Sequence, residues 1–243
     1  MSKGRPEMGV LLYLESALTV DKLALRGNEK RAVGQESFAA VAYEFISQAF
    51  ALYEEYAGDS RLQSRCIVAM IGTLLACRSL SKEDYESLIM KTAQYSAKML
   101  KKHEQCAMVA QCSHLFYVVG DDNQVHYSNP QRGLECLQRA LKLADACTNS
   151  HPANVHLFVE LLEHYLFFFE KQHPSITGNY ITGLVALIKE HTDNLSKFGG
   201  VEANGVAEAK AHFLEIVRHI KTMKEKTELT ERFAAIDVSS VST

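Results

Sequence analysis

Phe38-Ala-Ala-Val-Ala-Tyr-Glu-Phe-Ile-Ser-Gln-Ala-Phe-Ala-Leu-Tyr53 is the stretch on which the fold turns. Its residues Phe38, Val41, Ala42, Phe45, Ala49 and Leu52 recur at steps of three and four, the period of one face of an α-helix. Glu44, Gln48 and Glu55 fall on the opposite side. The pattern predicts a helix over about 36–57, stopped by Gly58.

The same reading extends in both directions. A first helix covers about 7–25, before the polar break Gly27-Asn-Glu-Lys-Arg31. Asp59 and Ser60 offer side-chain oxygens to the first amides of a helix over about 60–78. Ser81-Lys-Glu-Asp84 resembles a capping box and opens a helix running to Lys102. Further helices are expected over about 103–118, 130–149, 152–171 with Pro152 at its start, 177–194 and 202–226. Gly120-Asp-Asp-Asn-Gln124 and Phe198-Gly-Gly200 supply the longer breaks.

The result is nine helices and no convincing strand, an all-α chain. Alternate helices begin near 36, 81, 130 and 177, so the steps are 45, 49 and 47. That matches the roughly 40–47-residue period of stacked helix pairs, whereas tetratricopeptide repeats step by about 34. An α-solenoid of stacked antiparallel helix pairs is therefore expected over 35–226, ahead of a compact bundle. Residues 1–34 are read as a divergent N-terminal helix or cap, and 227–243 as a flexible tail.

Composition agrees. Gly and Pro together number 17 of 243 residues, and 47% of residues are hydrophobic, which favours long helices over turn-rich β architecture. Lys and Arg number 26 against 29 Asp and Glu, a net charge of −3. That argues against a nucleic-acid binder, which needs a basic face. Six cysteines are scattered without a Cys-x-x-Cys pair, the expectation for reduced cytosolic thiols. The longest apolar runs, such as Met8 to Leu14, fall far short of the roughly 18 residues that a membrane span needs.

Two clusters invite a metal reading. His103, Cys106, Cys112 and His114 fail it on one straight helix: Cys112 lies half a turn from His103, and His114 sits roughly 16 Å along the axis. His156, Glu160 and His164 share a helix face with Glu163 beside them. A di-iron bundle needs two Glu-x-x-His motifs and two more glutamates, which are missing, so a solvated helix face is expected. No nucleophile elbow, phosphate loop or dinucleotide-binding glycine run is found. Neither catalysis nor a cofactor is expected.

Two aromatic clusters and a charge pattern remain. In Tyr165-Leu-Phe-Phe-Phe169 consecutive rings point all round a helix, so at least one leaves the core stripe, to pack on a neighbouring repeat or to face a partner. Phe116-Tyr117 poses the same question. Glu54 and Glu55 close their helix against its dipole, which suggests a use in docking to a basic surface. Lys98, Lys101 and Lys102 close theirs in the favourable sense.

Taken in order, several stretches resemble one family. They are Val41 to Glu55, Ile71-Gly-Thr73, Ser96-Ala-Lys-Met-Leu-Lys-Lys102, Cys112-Ser-His-Leu-Phe116, Glu135 to Ala144 and Leu157 to Lys171. Together they resemble the C-terminal portion of the retromer large subunit, the vacuolar protein sorting-associated protein 35 family. The likeness covers about 38–190 and is barely present before residue 34. It implies a HEAT-like α-solenoid and a chain that is a C-terminal fragment or a truncated product. It also implies a non-catalytic scaffold that holds the phosphoesterase-fold retromer subunit in its groove and reaches endosomal membranes indirectly. Phe116, Tyr117, Phe167 and Phe168 are the expected anchors for that partner. Self-association is expected through Glu54, Glu55, Lys98, Lys101 and Lys142. A helical-repeat adaptor for peptides is the alternative. Loss of N-terminal neighbours would further leave residues 8–25 prone to self-association.

Overall fold

The computed structural model describes residues 6–26, 37–56, 60–120, 124–197, 203–225 and 230–241. The breaks expected at Gly27–Arg31, Gly58 and Phe198–Gly200, and the cap expected from Asp59, lie outside them. The described residues form ten α-helices and one short hairpin. They fall into two compact units, 1–128 and 129–243.

The first unit contains α1 (Pro6–Arg26), α2 (Phe38–Tyr56), α3 (Ser60–Ala76), α4 (Lys82–Ala97) and α5 (Lys102–Cys112). The antiparallel strands β1 (Tyr117–Val119) and β2 (Val125–Ser128) complete it. Helix α1 runs antiparallel to α2, with Gly9 against Leu52 and the Tyr13 ring 6.3 Å from that of Phe45. It runs parallel to α3: Glu7 pairs with Arg65 at 2.8 Å, and Asp21 accepts from the Ser79 amide at 2.8 Å. The two contacts carry the same offset of 58 residues. Antiparallel neighbours and parallel alternate helices are the stacking of a helical solenoid.

Local chemistry starts the elements where cap residues stand. The Ser81 hydroxyl accepts from the Asp84 amide at 3.1 Å and donates to the Asp84 carboxylate at 2.8 Å. Asn129 accepts from the Arg132 amide at 3.3 Å, with Pro130 in the first helical turn. Four helices start at 38, 82, 130 and 178, giving steps of 44, 48 and 48.

Several expectations are corrected. The buried face of α2 is Ala42, Ile46, Ala49, Phe50 and Tyr53, rotated from the expected stripe; Phe45 and Leu52 turn toward α1, and Phe38 is exposed. Ser60 lies inside α3, and its hydroxyl donates to Glu104 of α5. The helix expected to reach Lys102 stops at Ala97, whose carbonyl takes the Gln105 side-chain amide while Met99 enters the core. The helix expected over 103–118 ends at Cys112 and passes through a 3-10 turn into β1, because Tyr117-Val-Val119 pairs with Val125–Ser128. β-branched and aromatic side chains favour that extended pairing once a partner strand is in reach.

The second unit contains α6 (Pro130–Ser150), α7 (His156–Glu170), α8 (Gly178–Lys197), α9 (Ala203–Glu225) and α10 (Thr230–Ala234). Pro152 opens a 3-10 turn over Pro152–Val155 ahead of α7. Helix α8 is antiparallel to α7: His191 stacks on Phe158 and Tyr180 on Tyr165. Residues 230–241 of the segment expected as a flexible tail are packed. Phe233, Ile236, Val238 and Val241 are buried, Phe233 meets the Phe169 ring at 5.3 Å, and Lys221 donates to the Val241 carbonyl at 3.0 Å. On α1, Met8, Leu12 and Leu23 are exposed. No described helix is long and apolar enough to cross a membrane.

Candidate functional site

Helix α7 is the most apolar helix of its unit, and its consecutive aromatics cannot share one face. At 100° per residue, Tyr165, Phe168 and Phe169 turn into the core while Phe167 faces out, 39% exposed. Glu163, Phe167 and Glu170 then line one outer strip at steps of four and three. Helix α9 answers with His212, Glu215 and His219, and buries Ile216 beneath them.

The two strips run parallel and are joined by repeated rungs. The Glu163 carboxylate meets His212 Nε2 at 2.8 Å, and Glu170 meets His219 Nε2 at 2.7 Å. Both rungs carry an offset of 49 residues, one repeat of the solenoid. They are one heptad apart, about 10 Å along the axis. Between them lies a groove of about 330 Å³, floored by Leu166, Phe167 and Ile216. An apolar floor with an exposed aromatic and a polar rim has the make-up of a protein-docking surface.

The structure separates the four expected anchors. Phe116, Tyr117 and Phe168 are buried within the chain; of the four, Phe167 is the one at the surface, edge-on to Phe168 at 5.4 Å. Phe116 and Tyr117 are turned inward by the 3-10 turn and hairpin that replaced the expected helix. The two histidines and Glu215 of α9 in the rim were not foreseen. The repeated Glu-x6-Glu of α7 and His-x6-His of α9, 49 residues apart, was the signal that carried them.

The charged residues expected to pair chains are partly engaged within this one. Glu54 accepts from the Tyr95 hydroxyl at 2.5 Å and pairs with Lys91 at 3.1 Å. The Tyr95 hydroxyl, then Lys91, hold the Glu54 carboxyl below the usual carboxylate range. The dipole mismatch at the end of α2 thus has an internal use. Lys101 precedes α5, not the end of α4 as expected, and pairs with Glu104 at 3.1 Å. Glu55, Lys98 and Lys142 are exposed.

Neither metal cluster assembles. Cys106 and Cys112 are buried, Cys112 against the Ser96 hydroxyl at 3.1 Å, while His103 is exposed. Glu163 is committed to His212, and burial lowers the proton affinity of His164. Among the described residues no three His, Cys, Asp or Glu side chains are placed to hold one ion.

Known proteins extend the picture. The sequence model of the family described as vacuolar protein sorting-associated protein 35 matches residues 2–191, including the N-terminal stretch expected to be divergent. Vacuolar protein sorting-associated protein 35 of Schizosaccharomyces pombe is 39% identical over 187 residues, 76% of this chain and 21% of that protein. The 35B protein of Arabidopsis thaliana is 36% identical over 229 residues, 91% of this chain and 26% of its own length. Its 35A counterpart is 32% identical over 240 residues, 96% and 27% respectively. The chain therefore spans about a quarter of the length of these relatives. Matched along most of its length by the family model, and built of the stacked helices that its sequence period demands, the chain belongs to the vacuolar protein sorting-associated protein 35 family.

Proposed function

We propose that this chain is a non-catalytic scaffold portion of the retromer complex, acting in endosomal protein sorting and retrograde transport. Family membership supports the sorting role, and the apolar α7–α9 groove with Phe167 at its surface is the observation that carries the binding role. The partner is the phosphoesterase-fold retromer subunit, held by desolvation of a broad helical surface. Recruitment to endosomal membranes is indirect, through other subunits. Self-association runs through the exposed charges Glu54, Glu55, Lys98, Lys101 and Lys142.

Calorimetric titration of the chain with the phosphoesterase-fold subunit tests the reading. Submicromolar binding near one-to-one is expected. Phe167→Ala weakens it by about ten- to a hundredfold, the range for an aromatic anchor, and leaves the thermal unfolding midpoint in place. No binding by the folded chain refutes the proposal and leaves the helical adaptor for peptides. Unchanged affinity in Phe167→Ala removes the groove from it.

A further inference from the structure

A second cavity, of about 410 Å³, lies in the first unit between the α3–α4 turn and the β1–β2 hairpin. Its inner wall is apolar, formed by buried Cys77, Tyr85 and Val118. The Tyr127 ring packs on that of Tyr85 at 5.0 Å. Both hydroxyls are tied down, Tyr85 to the Leu115 carbonyl and Tyr127 to Glu86, each at 3.1 Å. The two rings therefore form a fixed wall.

Among the described residues, the permanent charges lining this cavity are of one sign, with an imidazole beside them. Arg78, Lys82 and His126 line it, and among the described residues no Asp or Glu does, in a chain of net charge −3. Among the described residues none of the three is ion-paired with a carboxylate. Arg78 is also preset. Its Nη1 donates to the Leu75 and Cys77 carbonyls at 2.5 and 2.9 Å, and its backbone amide is held by Asp21 at 3.0 Å. Two of the five guanidinium donors at most are used by those carbonyls, which leaves at least three for an incoming oxyanion.

We propose that this cavity binds a small phosphomonoester with a planar or apolar body. The phosphate sits on Arg78, Lys82 and His126, and the body lies on the Tyr85–Tyr127 wall. A phosphomonoester carries close to two negative charges at neutral pH and presents three oxygens, which answers two permanent cations and an imidazole. A carboxylate, with one charge, leaves a cation unmatched. The volume lies at the low end of ligand pockets, which fits a metabolite-sized molecule.

Calorimetry on the full chain decides it, with phenyl phosphate as the probe. Glucose 6-phosphate, inorganic phosphate and benzoate remove the planar body, the whole body and the second charge in turn. Phenyl phosphate is expected to bind at least threefold more tightly than each of the three. Lys82→Gln weakens it roughly three- to tenfold, as loss of one charge-assisted contact does. Tyr127→Leu lowers affinity for phenyl phosphate and leaves inorganic phosphate unchanged. Because Arg78 also supports the turn, Lys82→Gln, at an exposed side chain, carries the charge test. Equal binding of benzoate overturns the phosphate assignment, and equal binding of glucose 6-phosphate overturns the planar body. Absence of saturable phenyl phosphate binding, or wild-type affinity in Lys82→Gln, overturns the site.

Discussion

His173 gives the second unit an acid sensitivity that can be calculated and isolated. Helix α7 ends with Gln172 in the left-handed region, φ 57°, which folds the His173 amide back onto the Phe168 carbonyl at 2.9 Å. That turn drives the imidazole into the core, 1% exposed, edge-on to the Phe168 ring at 5.4 Å. Its Nδ1 accepts from the Ser175 amide at 3.2 Å, so the neutral ring keeps its proton on Nε2. Charging it places a second N–H against the Ser175 N–H and an ion in an apolar site. Burial therefore pushes its pKa down from 6.5 to about 4. The unfolded chain binds the proton more tightly than the folded one. The contribution to stability is thus fully present above pH 6.5 and is lost as pH falls toward 4. Between pH 7.5 and 5.0 the two binding curves give a loss of about 2 kcal/mol, and about 3 kcal/mol when both states are protonated.

The assay is urea unfolding followed by circular dichroism at pH 7.5, 6.5, 5.5 and 5.0, for the wild type and His173→Asn. Asparagine can accept the same Ser175 bond and does not titrate. Every other ionisable group is common to the two proteins, including His164, His212 and His219. The difference between them should shift by about 2 kcal/mol over that range, in the direction of wild-type destabilisation at low pH. Parallel pH dependence in the two proteins would refute the reasoning.

Two further outcomes follow from backbone geometry near this site. Gln172→Gly relieves a side chain held at positive φ in a turn that glycine ordinarily occupies, and should raise stability by about 0.5–1 kcal/mol in the same unfolding assay; a loss would show that the glutamine side chain contributes more than its conformation costs. Gly178→Ala places a Cβ 3.0 Å from the Ala235 carbonyl oxygen and 3.1 Å from its carbon, a backbone that cannot yield cheaply. The cost should be about 1–3 kcal/mol, with faster amide exchange over 230–241 than in the wild type, and unchanged exchange there would show that this contact does not hold the segment.

What the sequence by itself determined was set by neighbours in the chain. Ser81 and Asp84, and Asn129 with Pro130, satisfy the orphan amides of their own helices, so α4 and α6 start within about a residue of expectation whatever packs on them. Helix length and connection length then set the near-constant step of 44–48 residues, and with it the stacking of parallel alternate helices. Tertiary structure decided which side of each helix is inside. On α2 two apolar strips compete, and the surfaces of α1, α3 and α4 select Ala42, Ile46 and Phe50 for full burial while Phe45 goes to α1. On α7 adjacent Phe167 and Phe168 have the same hydrophobicity, and only the position of α9 makes one a groove floor and the other a core residue. The hairpin, the Glu54–Tyr95 contact and the burial of Phe233 depend on partners 6 to 64 residues away. Short-range periodicity contains no information about such contacts, because their energy exists only once the chain has brought both surfaces together and excluded water.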